Sequence, residues 1–303
     1  MKVLITGANG LLGQKLVALL AKQQEVEIVA TAQDTDKIEG LSGSYRFRKM
    51  DITQREEVLQ LIEEEKPEYI VNTAAMTNVD QCETERERCW QINVHAVEHL
   101  IEAARSCHAF LLHLSTDFIF SGEYGPLAED AEPAPVNYYG ESKLAAERIL
   151  QQSSIDWAIA RTALVYGITP NMSRSNIVLW VKNSLEAGKQ IRVVDDQFRT
   201  PTLAEDLAMG CWLIVKHHAQ GIFHISDQDV YTPYDMAMLT AEHFGLDKGL
   251  IERTDGNAFS QPARRPPRTG FIIEKAKKEL GYQPHTFAEG IALLDRQLNE
   301  LRK

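Results

Sequence analysis

The sequence predicts an α/β fold with a doubly wound parallel sheet and a smaller C-terminal lobe. Three observations predict it. Strand-like and helix-like runs alternate through the first half of the 303-residue chain. A glycine-rich turn joins the first strand-like run to the first helix-like run. After about residue 167 the alternation becomes irregular, and Pro and Arg cluster at residues 262–268.

The first half supplies the strands and helices of the predicted core. "KVLITG" is short and rich in β-branched residues, as expected of a buried strand, and "LLGQKLVALLAKQQ" has apolar residues at helical spacing. Strand and helix then alternate in "VEIVAT", "REEVLQLIEEEKP", "EYIVNTAA", "CWQINVHAVEHLIEAARSC", "AFLLHLSTDFIF", "ESKLAAERILQQS" and "WAIARTALVYG". A further short strand is expected before Asp51. This order predicts parallel strands, right-handed crossovers and helices on both faces.

The second half predicts a separate lobe that is interrupted by a return to the core. "IVLWVKNSLEAGK" and "AEDLAMGCWLIVKHH" are interpreted as helices, "QIRVVDDQFRTPT" as a strand and loop, and "GIFHIS" as a strand, before a tail that ends in helices. We predict a Rossmann-type nucleotide-binding core at residues 1–166, to which residues 191–226 return in part. A discontinuous substrate-binding lobe is predicted at residues 167–303.

The composition argues against several classes of protein. A net charge of −11 disfavours binding to nucleic acid or to an anionic membrane. The four cysteines form no CxxC pair and the nine histidines show no HxH or HExxH spacing, so we expect reduced thiols and no metal site. No apolar run approaches the ~18 residues of a membrane span, and the chain opens directly on a strand without a signal peptide. We expect a cytoplasmic protein.

The stretch "TGANGLLG" places three glycines between the first strand and the first helix. Glycines let the backbone approach a diphosphate, and the helix N-terminus offers free N–H groups and the positive end of the helix dipole. The turn therefore predicts an NAD(P) site formed by Gly7, Asn9, Gly10, Leu11, Leu12 and Gly13. The alternative is an ordinary strand-helix turn whose glycines serve packing only.

The coenzyme stays open between NADP and NAD, with NADPH slightly favoured. Dinucleotide sites usually carry an acid at the end of the second strand, but Thr31 stands near that position and Asp34 comes a few residues late. No arginine is nearby to hold a 2′-phosphate, although Thr31 and Lys37 could help. Asp51, which is followed by Ile52, could accept from the adenine amino group. A turn or helix-capping aspartate is the alternative role.

The stretch "NYYGESKLAAE" sets two tyrosines ahead of a lysine. Tyr139 and Lys143 are four residues apart and so share one face of a helix. A neighbouring ammonium stabilises a phenolate and is expected to lower the phenol pKa from about 10 toward working pH. Tyr139 could then protonate a carbonyl oxygen, whereas Tyr138 suits aromatic packing or a substrate-lining role. Ser115 and Thr116 end a core strand, where open α/β sheets meet ligands.

Together these features resemble the extended branch of the short-chain dehydrogenase/reductase family over essentially the whole chain. More narrowly, "VNTAAMTNVDQCE", "STDFIFSG", "YYGESKLAAE", "VVDDQFRTPT" and "RRPPRTGF" resemble the dTDP-4-dehydrorhamnose reductases. The resemblance implies NAD(P)H-dependent reduction of the 4-keto group of a nucleotide-linked deoxysugar, with dTDP-4-dehydro-L-rhamnose reduced to dTDP-L-rhamnose as the leading case. A homodimer is a further option.

The resemblance also assigns roles to residues. Thr116 would hydrogen-bond the substrate carbonyl, Tyr139 would donate the proton, and Lys143 would hold the nicotinamide ribose and tune the tyrosine. Further cofactor contacts would come from Asn72, Ala74, Ala75, Asn93 and Ser115. The sugar nucleotide would be contacted by Thr77, Gln197, Thr200, Pro201 and Arg265, whose forked guanidinium suits phosphate oxygens.

Some residues depart from the family pattern. Met76 stands where a histidine is frequent, and Leu164 stands where a tryptophan occurs. Both lie on the substrate side and leave the sugar open. The alternatives are another nucleotide-sugar epimerase or reductase of the family, or a non-catalytic NADP-binding subunit resembling that of methionine adenosyltransferase. A dehydratase is disfavoured because Phe118, rather than a glutamate, follows Asp117.

Overall fold

The computed structural model describes residues 1–41, 43–172, 175–258 and 261–301. The strands are β1 (Lys2–Thr6), β2 (Glu27–Ala32), β3 (Arg46–Lys49), β4 (Tyr69–Asn72), β5 (Phe110–Thr116), β6 (Trp157–Thr162), β7 (Val165–Tyr166), β8 (Ile191–Val194), β9 (Thr202–Leu203), β10 (Gly221–His224) and β11 (Ile251–Thr254). The α-helices are α1 (Leu11–Leu20), α2 (Arg55–Glu65), α3 (Val79–Thr84), α4 (Arg86–Trp90), α5 (Ala96–Cys107), α6 (Tyr138–Gln151), α7 (Ile177–Glu186), α8 (Ala204–His217), α9 (Pro233–His243), α10 (Glu274–Leu280) and α11 (Phe287–Leu301). Within these ranges, no helix is long and apolar enough to span a membrane.

Seven strands form one parallel sheet in the order β10-β6-β5-β4-β1-β2-β3. The chain begins in the middle of this sheet, where Val3 of β1 aligns with Ile28 of β2 and with Tyr69 of β4. It adds strands first on one side of β1 and then on the other. This reversal places a crevice at the carboxyl ends of β1 and β4, where open α/β sheets bind ligands.

Helices cover both faces of the large sheet. Val3 and Ile5 belong to the apolar cluster that includes residues of α1 and α8, whereas Leu4 belongs to the cluster that includes residues of α2 and α5. Successive side chains of a strand point to opposite faces, so a strand that is covered on both sides must be apolar throughout. The three central residues of the first strand, Val3, Leu4 and Ile5, are apolar for that reason. The predicted Rossmann-type doubly wound sheet is confirmed.

The remaining strands form two small parallel sheets, in which β8 pairs with β11 and β7 pairs with β9. Residues of α7, α9 and α11 pack around them in two further apolar clusters. The segment 191–226 is divided between the two parts of the fold. Its strand β8 belongs to the small sheets, whereas β10 pairs with β6 and α8 packs against α1. The proposed division into two domains stays a prediction.

Three elements that the sequence predicts as continuous are interrupted. The run "WAIARTALVYG" divides because Leu164 adopts a left-handed φ of 41°, after which β7 joins a different sheet from β6. The long helix predicted at residues 89–107 contains a π-helical turn at Gln91–His95. The strand predicted at residues 109–120 ends at Thr116 and continues as a 3₁₀ turn. π-helical turns such as the one at Gln91–His95 are frequent at functional sites.

Candidate active site

The glycine turn between β1 and α1 permits close backbone approach. Gly7 has a φ of +65°, and a Cβ placed there would lie 2.8 Å from backbone atoms of Ala74. A Cβ at Gly13 would lie 2.5 Å from the Gly7 carbonyl oxygen. Gly10 is the N-cap of α1 and supplies no side-chain cap, so the first N–H groups of the helix remain available to an anion. Close packing at these glycines therefore coexists with a helix N-terminus that is open to an anion.

A cavity of about 420 Å³ opens beside this turn, at the carboxyl ends of β1, β2 and β4. Several predicted cofactor residues line it: Gly7, Asn9, Gly10, Asp51, Ile52, Ala74 and Ala75. Sequence reasoning missed other lining residues, namely Gln33, Thr53, Thr73, Arg88 and Gln91. Its position at the point where the strand order reverses is the one that dinucleotides occupy in such sheets. The residues present therefore fit the dinucleotide implied by the sequence.

The adenosine side of the cavity differs in part from expectation. Asp51 accepts hydrogen bonds from the backbone N–H and hydroxyl of Thr53 at 2.9 and 2.8 Å and from Gln33 at 2.9 Å. It therefore acts as a turn aspartate and still faces the cavity. Thr31 is fully buried and donates to the Ile5 carbonyl at 3.1 Å. The suggestion that Thr31 helps to hold a 2′-phosphate is therefore wrong.

Thr116 ends β5, and Tyr139 and Lys143 lie one turn apart on α6, which packs against that strand. The Thr116 hydroxyl donates to Asp117 at 3.1 Å and lies close enough to the Tyr139 phenol to lower the pKa of that phenol. Helix α6 begins earlier than predicted because the Asn137 side chain caps it, accepting from the backbone N–H of Gly140 at 2.8 Å. This cap places Tyr139 in the first turn of the helix. None of the three residues lines the 420 Å³ cavity.

Tyr139 lies in an apolar pocket and is only 9% exposed. Its ring packs edge-on against Phe118 at a centroid distance of 5.9 Å, and it shares an apolar cluster with Met76, Cys82 and Cys89. Burial raises the pKa of its phenol, while the nearby Thr116 hydroxyl acts in the opposite direction. The net lowering of this pKa that the sequence predicted is therefore not found.

The Lys143 amine is buried and contacts β5. Its Nζ lies 3.0 Å from Nε2 of His113, a residue that sequence reasoning missed. Burial lowers the pKa of Lys143 to about 8, against the opposing effect of Glu147. Burial also holds the pKa of His113 well below its usual value, with a further lowering by Lys143. A buried histidine in a strand is usually a packing residue, which is why its sequence position carried no signal.

Asn72, Asn93 and Ser115, which are predicted cofactor residues outside the cavity, are buried, and the two asparagines are hydrogen-bonded. Asn93, in the π-helical turn, contacts both backbone groups of Met76 at 2.8 and 3.0 Å and the Ser142 hydroxyl at 3.0 Å. It therefore ties the segment after β4 to α6. Asn72 lies 3.0 Å from His113. The buried hydroxyl of Ser115 has no hydrogen-bond partner among the described residues, which suits a contact to a bound cofactor.

The predicted substrate residues lie in different environments. Thr77 is exposed and Gln197 is half-buried. Arg265 forms a two-pronged ion pair with Asp80 at 2.6 and 2.7 Å. Thr200 is fully buried, and its hydroxyl accepts from the backbone N–H of Phe271 at 3.1 Å. Thr200 therefore supports the loop from within the protein, and its assignment as a substrate contact stays a prediction that this burial does not favour.

A buried ion pair connects the end of β5 to the second lobe. The Arg199 guanidinium lies 3.4 Å from the carboxylate of Asp117, which also accepts a hydrogen bond from Thr269. Asp117 directly follows Thr116, so these contacts hold the strand end that carries the Thr116 hydroxyl. Among the described residues, no group of three His, Cys, Asp or Glu side chains is placed to hold a metal ion.

A family model described as the RmlD substrate binding domain matches residues 1–299. The chain belongs to this family. Among solved structures, a dTDP-4-dehydrorhamnose reductase from Clostridium acetobutylicum superimposes with a TM-score of 0.88 at 30% identity, covering 99% of this chain and 100% of that one. A Bacillus anthracis dTDP-4-dehydrorhamnose reductase in complex with NADP gives 0.83 at 26% identity, over 98% and 99%.

Curated relatives of this RmlD-family chain include enzymes and a subunit. A probable low-salt glycan biosynthesis reductase, Agl14, of Haloferax volcanii is 30% identical over 99% of both chains. The dTDP-4-dehydrorhamnose reductase of Aggregatibacter actinomycetemcomitans is 31% identical over 93% of this chain and 94% of its own. The methionine adenosyltransferase 2 subunit beta of Xenopus laevis is 30% identical over 81% and 72%. The predicted family is confirmed, and the chain is an NAD(P)-dependent oxidoreductase of the RmlD type.

Replacing Gly7 with alanine is expected to weaken cofactor binding and lower stability. The left-handed backbone alone costs a side chain about 1–2 kcal/mol, and here the Cβ would also meet Ala74 backbone. Gly245→Ala is the matched control, because Gly245 has a φ of +64° with open space around a Cβ. Fluorescence titration with NADPH and NADH and urea unfolding measure both effects. Equal losses in the two variants would show that the close approach at Gly7 is unimportant.

Proposed function

We propose that this protein catalyses the NAD(P)H-dependent reduction of the 4-keto group of a nucleotide-linked deoxysugar. The first candidate substrate is dTDP-4-dehydro-L-rhamnose, which would yield dTDP-L-rhamnose. The observation that carries the proposal is the proximity of the Thr116 hydroxyl and the Tyr139 phenol at the carboxyl end of β5, with the buried Lys143 one turn further along α6. The named activities of the reductase relatives support it.

The side chains can perform the proton half of this reaction. A bound reduced nicotinamide would supply the hydride. Thr116 donates a hydrogen bond to the carbonyl oxygen and polarises it, and Tyr139 donates its proton to the same oxygen as the new C–H bond forms. Burial keeps the phenol protonated at neutral pH, which is the form that reduction requires. Lys143, charged below its pKa of about 8, stabilises the phenolate that remains.

The cofactor would be held by elements that are already shaped for it. The diphosphate would lie against the backbone of Gly7 and Gly10 at the start of α1. Asp51 would meet the adenine, and Lys143 and Ser115 would lie at the nicotinamide end. Both coenzymes remain candidates. NADPH stays slightly favoured because Ala32 ends β2 without a carboxylate, whereas Asp34, which lines the cavity, comes two residues later, and because a related structure holds NADP.

Arg265 is our candidate for the diphosphate of the sugar nucleotide. In the protein its guanidinium is partnered by Asp80, and both side chains are partly exposed. A guanidinium binds carboxylate and phosphate oxygens with the same forked geometry, so a diphosphate can replace Asp80 without a new rotamer requirement. Met76 and Leu164 lie on the substrate side and leave the identity of the sugar to experiment.

An enzyme assay tests the proposed function. Purified protein mixed with NADPH or NADH and dTDP-4-dehydro-L-rhamnose is expected to oxidise the coenzyme, with formation of dTDP-L-rhamnose measured by mass spectrometry and NMR. Other nucleotide-linked 4-ketosugars, run in parallel, rank the substrates. Absence of turnover with the whole series would overturn the proposal.

A second candidate is a non-catalytic NADP-binding subunit, favoured by the similarity to the methionine adenosyltransferase 2 subunit beta. The two candidates give different results in the same assay. Tight binding of NADPH without oxidation by any ketosugar supports the subunit. The retained set of Thr116, Tyr139 and Lys143 favours the enzyme, because binding alone does not require a proton donor.

A further inference from the structure

A row of four buried polar side chains crosses the sheet from the glycine turn to Lys143. The Thr6 hydroxyl donates to the Asn72 amide at 2.6 Å, Asn72 lies 3.0 Å from Nδ1 of His113, and Nε2 of His113 lies 3.0 Å from the Lys143 Nζ. All four residues are at most 2% exposed. Three adjacent parallel strands and one helix each contribute one member, and the carbonyl of Thr6 accepts from Thr73, which lines the cavity.

Hydrogen-bond chemistry allows two arrangements of protons along this row. An ammonium can only donate, so a charged Lys143 requires Nε2 of His113 to accept and Nδ1 to carry the ring proton. The Asn72 amide must then present its oxygen to Nδ1. A neutral Lys143 amine accepts instead from an N–H at Nε2, and Nδ1 accepts from the Asn72 nitrogen. The second arrangement is the one in which Asn72 is oriented in the structure.

We propose that His113 is a positioning residue for Lys143, a neutral imidazole whose ring proton moves from Nδ1 to Nε2 when the amine loses its proton. This inference deepens the proposed function and rests on it. The ring gains no net proton, because the proton released comes from Lys143. The amine thus keeps one fixed hydrogen-bond partner in both charge states. A half-turn of the Asn72 amide completes each arrangement.

The surroundings of Lys143 explain why such a partner is needed. The titratable groups around the amine are His113 from β5, Tyr139 and Glu147 from its own helix, and the thiols of Cys82 and Cys89 from α3 and α4. Of these, the structure gives only His113 a direct contact with Nζ. Removing it would leave a buried ammonium without that acceptor, and the charged form would be disfavoured. A leucine would fill the space but would offer no lone pair.

Nitrogen-15 NMR of histidine-labelled full-length protein tests the inference without substrate or cofactor. The chemical shifts of the two ring nitrogens report which one carries the proton, and His113→Gln identifies the signals. We expect an Nδ1–H ring at pH 6.5 and an Nε2–H ring above pH 9, with a midpoint near the Lys143 pKa of about 8. In Lys143→Met the change should disappear. A ring that takes up a second proton near pH 6.5, or a change that survives in Lys143→Met, would overturn the proposal.

The pH dependence of turnover gives a second readout that depends on the proposed function. Reduction needs a charged Lys143, so the rate should be constant below pH 8 and should fall as the pH rises through it. In His113→Leu this midpoint should move down by about one pH unit, the size expected for losing one hydrogen bond to a charged group. His113→Gln, whose amide can both donate and accept, should restore it toward the wild-type value.

The outcomes of the two experiments separate the two hypotheses. Absence of turnover with an intact tautomer change would overturn the proposed function alone. Equal rate losses in His113→Leu and His113→Gln with unmoved midpoints would show that His113 only fills space. If His113→Leu does not fold, the nitrogen shifts of the wild-type protein and Lys143→Met decide the question by themselves.

Discussion

Replacing Tyr139 with phenylalanine is expected to lower kcat for the ketosugar by roughly 10²–10⁴-fold, the usual contribution of a positioned proton donor. The ring stays in its apolar pocket against Phe118, so folding and coenzyme affinity should change little. Only the hydroxyl that meets Thr116 is lost. Steady-state kinetics and coenzyme titration, run on the same preparations, measure the two properties separately.

The neighbouring tyrosine provides the matched control. Tyr138 belongs to the same helical turn, but its ring packs beside Trp90 at 5.8 Å and under the guanidinium of Arg86 at 4.7 Å. Tyr138→Phe removes one hydroxyl from the same turn and should keep most of the activity. Equal losses in the two variants, or a fully active Tyr139→Phe, would show that the proton comes from another group.

Arg161→Met is expected to destabilise the fold by about 3–5 kcal/mol, since it leaves one charge of a buried pair uncompensated. Arg161 lies near the end of β6 and Glu147 lies on α6, and their side chains are 2% and 0% exposed. The guanidinium reaches both carboxylate oxygens, at 3.0 and 2.8 Å, and a carbonyl of Glu129 at 3.0 Å. Urea unfolding followed by circular dichroism measures the loss.

Two further variants show whether the lost stability comes from the uncompensated charge. Arg161→Met combined with Glu147→Leu should recover part of the stability, because a well-packed apolar pair can replace a buried ion pair. Glu102→Gln breaks the pair between Arg55 and Glu102, which has similar geometry but is about half exposed, and should have a far smaller effect. A double variant no more stable than Arg161→Met would indicate that packing, rather than the stranded charge, causes the loss.

Much of the core was predictable because its signals are local. Strands covered on both faces are short apolar runs, and the helices between them repeat at helical spacing, so their order implied a parallel sheet. Interruptions of strands were not predicted where they depend on a single backbone torsion angle. Leu164 shows no breaker chemistry, yet its left-handed φ sends β7 into a different sheet from β6.

The candidate site was predictable to the extent that function follows from spacing. Gly7, Gly10 and Gly13 were placed by their position in the turn, and Tyr139 and Lys143 by their four-residue separation on one helix. The predictions of which groups these residues contact were less accurate. The amine meets His113 on a different element, and Thr200 is fully buried.

Periodicity and short motifs were enough to predict the parallel sheet, the phosphate-binding turn and the tyrosine-lysine face, since each depends on residues that lie close together in the sequence. The quoted motifs carried the resemblance to the family. The burial of side chains and the contacts between distant residues became clear only from the tertiary structure. The partner of Lys143 and the buried Arg161–Glu147 pair arise between residues 30 and 14 positions apart, and the direction of the Tyr139 pKa shift arises from loss of water around the phenol. Desolvation depends on everything that packs around a group, and no local stretch of sequence contains that information.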